Sequence, residues 1–306
     1  KDAAAAQQFK GRVAVVTGCT VGGIGCHTAM VLAGEAGMRV ICAGRSLSKM
    51  RDCCETIKEA YPEACVHPMV LDLSSRQSVR EFVAAFEEQF PAEDFDLSLL
   101  VNNAGIMAPS FYRTVDGLEA QMATNHLGPF LLTILLLPRL RRCTRARVIV
   151  VSSIAHALPK RLRGTDMDRD YTTERSGPFV AYGRSKRANV VFVQELARRL
   201  EGTGVSCFSL HPGVIASNLG QNNSVASIFY KSCLCFTKTV AQGAGTTIYA
   251  CLEPGIEAMS GSYLVGRTQT EPVGCTQDVA TDVWEASVKY SKVAPLELED
   301  ALGARK

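Results

Sequence analysis

Two hydrophobic rhythms alternate along this chain: short apolar runs of strand length, and longer stretches with apolar positions three and four residues apart. The runs predict strands at Arg12–Thr17, Arg39–Ala43, Val66–Leu71, Leu97–Asn102, Arg147–Ser152 and Val205–His211. The unbroken apolar segment Val148-Ile-Val-Val151 requires cover on both faces, as in a parallel sheet between helix layers. A last short strand at Ser262–Val265 is expected to close the sheet edge. Helical spacing is clearest at Arg76–Phe90 and Ser185–Leu200, the second ending ahead of Gly202 as helices commonly do. Strand and helix in alternation make successive βαβ units, so the predicted fold is α/β, with one domain, a doubly wound parallel sheet and three layers ordered α/β/α. Residues 11–290 form that domain, residues 1–10 an N-terminal extension and 291–306 a tail. From Ala294 onward the tail is charged and Pro-containing and is expected to fray.

Composition narrows the class of protein without changing that fold. At 47% hydrophobic and 21% charged residues the chain is neither disordered nor a coiled coil. A formal charge of +3 gives no support to a nucleic-acid partner. The Arg-rich stretch Arg139–Arg147 reads as a solvated helix end. The 12 cysteines are scattered, without C-x-x-C pairs or nearby histidines at ligand spacing, so no metal site is expected. Reduced thiols in strands, such as Cys42 and Cys207, act as small hydrophobes and suit a reducing compartment or a cytosol-facing surface. No run of 18 apolar residues exists, so no bilayer span is expected in the chain as given. It starts at Lys1 and not at Met, and the Ala-rich opening leaves an anchor, a signal and a transit segment all open.

Candidate chemistry begins where the first strand runs into Thr17-Gly-Cys-Thr-Val-Gly-Gly-Ile-Gly25 and a helix starting near Cys26. A glycine-rich strand-to-helix turn lets backbone N–H groups approach a pyrophosphate at the positive helix end. At the end of the second strand the chain carries Gly44-Arg45 and no acidic residue to hold a ribose 2′-hydroxyl. A guanidinium there matches a 2′-phosphate, which points to NADP(H). Asp72 either faces the adenine or caps the helix opening at Ser74 or Ser75.

Tyr182 and Lys186, in Tyr-Gly-Arg-Ser-Lys, are four apart and project from one face at the start of a helix. A nearby ammonium favours phenolate over phenol and draws the tyrosine toward the range of a general acid–base. The pair has companions in a fixed order: the glycine turn, Asn102-Asn-Ala-Gly105 after the fourth strand, Asn125 in Thr124-Asn-His-Leu-Gly128, Ser152-Ser153 after the fifth, and Pro212-Gly213 after the sixth.

This ordered set, over roughly residues 10 to 290, resembles the short-chain dehydrogenase/reductase family, whose fold is of Rossmann type. Asn125-His-Leu-Gly-Pro-Phe130, Gln194-Glu-Leu-Ala-Arg-Arg199, His211-Pro-Gly213, Gln242-Gly-Ala-Gly-Thr-Thr-Ile-Tyr249 and Trp284-Glu-Ala-Ser287 are most similar to its retinol dehydrogenase-like branch and to related dehydrogenase/reductase members. The resemblance implies that Tyr182 is the acid–base, that Lys186 holds the nicotinamide ribose and lowers the tyrosine pKa, and that Ser153 stabilises the substrate oxygen while Ser152 ends the strand. It also implies that Asn125 positions a relay water. Cofactor contacts would come from Gly18, Thr20, Gly23, Ile24, Gly25, Arg45, Asp72, Leu73, Asn102, Asn103, Ala104, Gly105, Tyr182, Lys186, Pro212, Gly213, Ile215 and Ser217.

The glycine turn departs from the family's G-x-x-x-G-x-G by one extra residue between Gly18 and Gly23, which Gly22 is expected to absorb. His126 and His211 read as structural. Substrate pockets in such sheets lie beyond the strand C-termini, so the segment after Pro212 should close over the site, with 214–240 as a substrate lid or membrane-facing segment. Ser224–Val240 is apolar and aromatic and flanked by Lys231 and Lys238, like an interfacial helix, a lid over a greasy pocket, or a partly buried core helix. Cys233 and Cys235 are lipidation candidates. The expected activity is NADP(H)-dependent interconversion of an alcohol and a carbonyl on a retinoid-, steroid- or lipid-like substrate at a membrane surface, the endoplasmic reticulum facing the cytosol or an organelle reached by a removed transit segment. The alternative is a non-catalytic or weakly catalytic nucleotide-binding subunit of a larger assembly, and an oligomer is open in either case.

Overall fold

β1 (Val13–Thr17), β2 (Arg39–Gly44), β3 (Val66–Val70), β4 (Leu97–Asn102), β5 (Ala146–Val151), β6 (Val205–His211), β7 (Tyr263–Val265) and β8 (Thr268–Thr270) form one sheet in the order β3-β2-β1-β4-β5-β6-β7-β8. The structure is a computed structural model and describes residues 8–173, 177–215 and 238–303. Every expected strand is present within one residue of its predicted bounds. All pairings are parallel except β7 with β8. β8 was not foreseen, because Thr-Gln-Thr is exposed throughout and has no apolar signature; it displaces the expected edge strand β7 inward by one place.

Alternation along each strand divides the core into two layers. Val13 and Val15, like Val148 and Val150, face α3 (Arg76–Gln89), α4 (Ala120–Arg142) and α5 (Gly177–Arg199). Ala14 and Val16, like Ile149 and Val151, face α1 (Ile24–Gly34), α2 (Leu47–Ala60) and α6 (Val240–Leu252). Helices on both faces explain the continuous apolar strands. α4 is long and apolar enough to cross a membrane, but its apolar window is 94% buried among sheet and helices, so it is a core helix.

Three expectations are corrected. α5 begins at Gly177, eight residues before Ser185, so Tyr182 and Lys186 lie inside the helix and not at its start. α1 begins at Ile24, near Cys26 as expected. The tail does not fray at Ala294: after α7 (Gln277–Ser291), α8 (Pro295–Leu302) packs on α4, with Ala301 fully buried, Glu297 ion-paired to Arg80, and Arg141 donating to the Asp300 carbonyl. Nor is Arg139–Arg147 solvated throughout: Arg142 and Arg145 are exposed as expected, but the two ends of the stretch are not. Arg139 is buried between Glu87 and the Phe95 carbonyl, and Arg147, wholly inside β5, donates to the carbonyls of Ala250, Cys251 and Glu253 and pairs with Glu257 at 2.7 Å. Four acceptors compensate a charge that burial alone would exclude.

Candidate active site

The glycine turn, the β4 exit, the β5 exit and α5 converge at the C-terminal edge of the sheet, where open α/β sheets hold their ligands. Gly18 and Gly22 both adopt positive φ, +75° and +74°, so Gly22 does take up the extra residue in a left-handed conformation. A Cβ on Gly25 would come within 2.6 Å of both the Gly18 carbonyl oxygen and the Asn103 amide nitrogen. α1 starts with no side-chain cap at Gly23, whereas Ser46 and Ser75 cap α2 and α3. Its first N–H groups are left for an anion.

Thr17, not singled out from the sequence, joins the turn to the next loop: its Oγ1 accepts from the backbone N–H groups of Asn103 and Ala104, both at 3.0 Å. Asn103 returns a 2.8 Å bond from its amide to the Thr17 carbonyl. A threonine ending an otherwise apolar strand just before the glycines was the available signal. Asn102 does not line the cofactor face; it is buried and donates to Thr133 Oγ1. Leu73 is likewise drawn into the core, its carbonyl facing Gly128. Asp72 Oδ1 accepts from the Ser74 N–H and hydroxyl, and Ser75 caps α3, so the carboxylate shapes the turn there. Arg45 is exposed at the end of β2, with no hydrogen bond or ion pair to its guanidinium among the described residues. Thr20 and Ile24 are half-buried at the turn.

On α5, Lys186 is 3% exposed, and its Nζ donates to the Val151 carbonyl at 2.9 Å and lies 5.6 Å from the centre of the Tyr182 ring. Burial pushes the lysine down to about 8. A Cβ on Gly105 would sit 3.3 Å from that Nζ and from Asn125 Oδ1, so glycine keeps the face before them bare. Asn125 lies in a π-helical turn, Ala123–Leu127, inside α4. π-turns are frequent at functional sites. Its Oδ1 accepts from the Ile106 N–H, and its Nδ2 donates to the Ile106 carbonyl and to Ser185 Oγ. Both amide protons are therefore used, and the side chain locks the β4 exit onto α5.

Ser152 Oγ donates to the Lys186 carbonyl at 2.7 Å and is buried; Ser153 is half-buried and opens a 3₁₀ turn, Ile154–Ala157. That turn packs on α5 beside Tyr182: a Cβ on Gly183 would lie 2.6 Å from the Ala155 carbonyl oxygen. Beyond β6, Pro212 is buried and Gly213 has φ +98°, while the Ile215 side chain seats against Gly243 of α6. Ser217, Lys231, Cys233, Cys235 and most of the expected lid lie outside the described residues. His126 is structural as expected, held between Asn189 and Ser287, and burial lowers it to about 4. Among the described residues no cluster of ligand-type side chains could hold a metal.

The family model of short chain dehydrogenases matches residues 12–163. Human retinol dehydrogenase 12 is 39% identical over 282 residues, 92% of this chain and 86% of that protein. The chloroplastic short-chain dehydrogenase TIC 32 A of Brassica napus is 37% identical over 292 residues, 92% and 89% of the two chains. A solved structure of an uncharacterised protein from Mycobacterium Paratuberculosis superposes with a TM-score of 0.70 at 33% identity, over 93% of this chain and 95% of that one. With the parallel sheet, the bare glycine turn and the Tyr182–Lys186 pair in one frame, the chain belongs to the short-chain dehydrogenase/reductase family of oxidoreductases.

Proposed function

We propose that this oxidoreductase uses NADP(H) to interconvert an alcohol and a carbonyl on a lipophilic substrate, with Tyr182, Lys186, Ser153 and Asn125 as the working residues. The observation that carries this reading is the buried Lys186 ammonium against the Tyr182 ring, beside the face that Gly105 leaves bare. The glycine turn and the uncapped α1 fit a pyrophosphate, and the exposed Arg45 fits a 2′-phosphate. When bound, the nicotinamide supplies or accepts the hydride.

The chain's own residues manage the oxygen and its proton. In reduction the Tyr182 hydroxyl gives its proton to the carbonyl oxygen, and in oxidation the phenolate takes it from the alcohol. The Lys186 ammonium stabilises that phenolate, and its N–H groups not engaged by Val151 would hold the ribose hydroxyls of a bound cofactor. Ser153 Oγ donates to the same substrate oxygen as charge develops. Asn125 keeps Ile106 and Ser185 in register around them.

A greasy substrate is supported by exposed Ile154 and Leu158 in the turn after Ser153, and by exposed Val273, whose N–H bonds to that turn. The relatives named retinol dehydrogenase 12 and 11 point the same way. Contact of segment 224–240 with a membrane surface would give such a substrate its route. The test is a fluorescence titration with NADPH and NADH, followed by turnover of all-trans-retinal, steroid and aliphatic carbonyls by wild type and Tyr182→Phe. NADPH binding with no turnover on any panel would overturn the enzyme reading in favour of a nucleotide-binding subunit.

A further inference from the structure

His156 stands two residues beyond the Ser153–Ile154 step, is 4% exposed, and has both ring nitrogens engaged. The Val273 N–H can only donate, and it lies 3.1 Å from Nε2, so Nε2 is the acceptor. The proton therefore sits on Nδ1, which donates to the Ser153 carbonyl at 2.8 Å. The same carbonyl accepts from the His156 backbone N–H at 3.0 Å. The His156 carbonyl in turn accepts from Arg187 Nε at 2.8 Å, and Arg187 is the residue after Lys186. The ring packs edge-on against Tyr263, centroids 4.7 Å apart. The neutral imidazole thus joins the β5 exit with Ser153 to the loop around Val273, while the His156 backbone carbonyl ties the same turn to the helix of Tyr182 and Lys186.

We propose that His156 is a positioning residue for the hydride-transfer site, holding the Ser153 hydroxyl at the distance from Tyr182 that a substrate oxygen requires. This rests on the reading of Ser153 and Tyr182 given above. The physical reason is that Ser153 lies at the end of a strand where sheet hydrogen bonds stop. Among the described residues its own Oγ meets a single bond, 3.2 Å from the Ala155 N–H. Without the imidazole the Ser153 carbonyl keeps the His156 backbone N–H, but the turn loses its tie to Val273, so Ser153 can shift while the α5 residues stay put. His156 touches neither substrate nor cofactor in this role, so its removal should act on kcat through Ser153 and leave NADPH affinity alone.

The test uses the full chain with NADPH and all-trans-retinal, comparing wild type, Ser153→Ala, His156→Phe, His156→Asn and the double variant Ser153→Ala/His156→Phe. His156→Phe keeps the ring against Tyr263 and removes both bonds; it should lower kcat by about tenfold or more, the scale on which small misplacements act, with the NADPH Kd unchanged. His156→Asn restores a donor near Nδ1 and should recover much of that kcat. In the Ser153→Ala background, His156→Phe should cost nothing further, because both act through one hydroxyl. Full kcat in His156→Phe, or additive losses in the double variant, would overturn the proposal. So would a loss of NADPH binding and melting temperature that Asn does not rescue, since that marks a merely structural residue. If wild type itself turns nothing over, it is the parent reading of the site that fails.

Discussion

The Lys186 ammonium donates to the Val151 carbonyl across 2.9 Å, joining α5 to the last residue of β5. The lysine is thereby anchored at the C-terminal edge of the sheet, where open α/β sheets hold their ligands, and it is anchored without a carboxylate. Its charge is left for the phenol ring beside it and for a bound cofactor. The lowered pKa is the consequence of that isolation.

Stability of the cofactor-free protein should carry the mark of this buried charge. The folded pKa of about 8 lies below the ordinary 10.5, so between those values the unfolded chain binds more protons and stability rises with pH. Lys186→Met should abolish that slope relative to wild type in urea titrations run from pH 7.5 to 10.5. An unchanged slope would place the ammonium in contact with water.

Tyr182→Phe should reduce kcat by roughly 10²–10⁴, the usual worth of a positioned acid–base. Fluorescence titration should find its NADPH affinity close to wild type. A variant that retains turnover would remove the tyrosine from the mechanism.

Arg45→Asp should weaken NADPH by at least about tenfold, the scale of one lost charge-assisted hydrogen bond, and affect NADH less. The exposed guanidinium at the end of β2 has no other partner among the described residues to confuse the result. Equal effects on both dinucleotides would assign coenzyme choice elsewhere.

Two glycines of the same turn should behave differently on substitution by alanine. Gly25→Ala drives a methyl into the Gly18 carbonyl and the Asn103 amide and should abolish NADPH binding. Gly22→Ala meets open space but must keep φ +74°, so it should cost about 1–2 kcal/mol of stability while binding survives. Thermal melts with and without NADPH separate the two.

Arg147→Met should destabilise the fold by about 1–3 kcal/mol, because it leaves the buried Ala250 and Cys251 carbonyls without their donor, while the half-buried Glu257 carboxylate can turn to water. Its kcat at permissive temperature should match wild type, since no described contact joins Arg147 to the site.

Much of the site was legible because its constraints are local. Gly18 and Gly22 need positive φ, and Tyr182 and Lys186 need only one helical turn between them. Contacts between distant segments left less trace. Asn102 and Asn103 are adjacent and alike, yet one bonds to Thr133 in the core and the other to Thr17 at the turn, a choice made by which side of β4 each leaves on. His156 looks like any surface-turn histidine until Val273, 117 residues later, meets its ring.

By itself the sequence determined seven of the eight strands, the order of the βαβ units and the residues offered to the chemistry, because period, glycine conformation and helical spacing act within a few residues of the chain. Only the tertiary structure decided which polar groups are buried and what satisfies them. The Arg-rich stretch shows this most plainly: Arg147 reads as solvated from its neighbours in sequence, and becomes fully buried because acceptors more than 100 residues away are folded onto it.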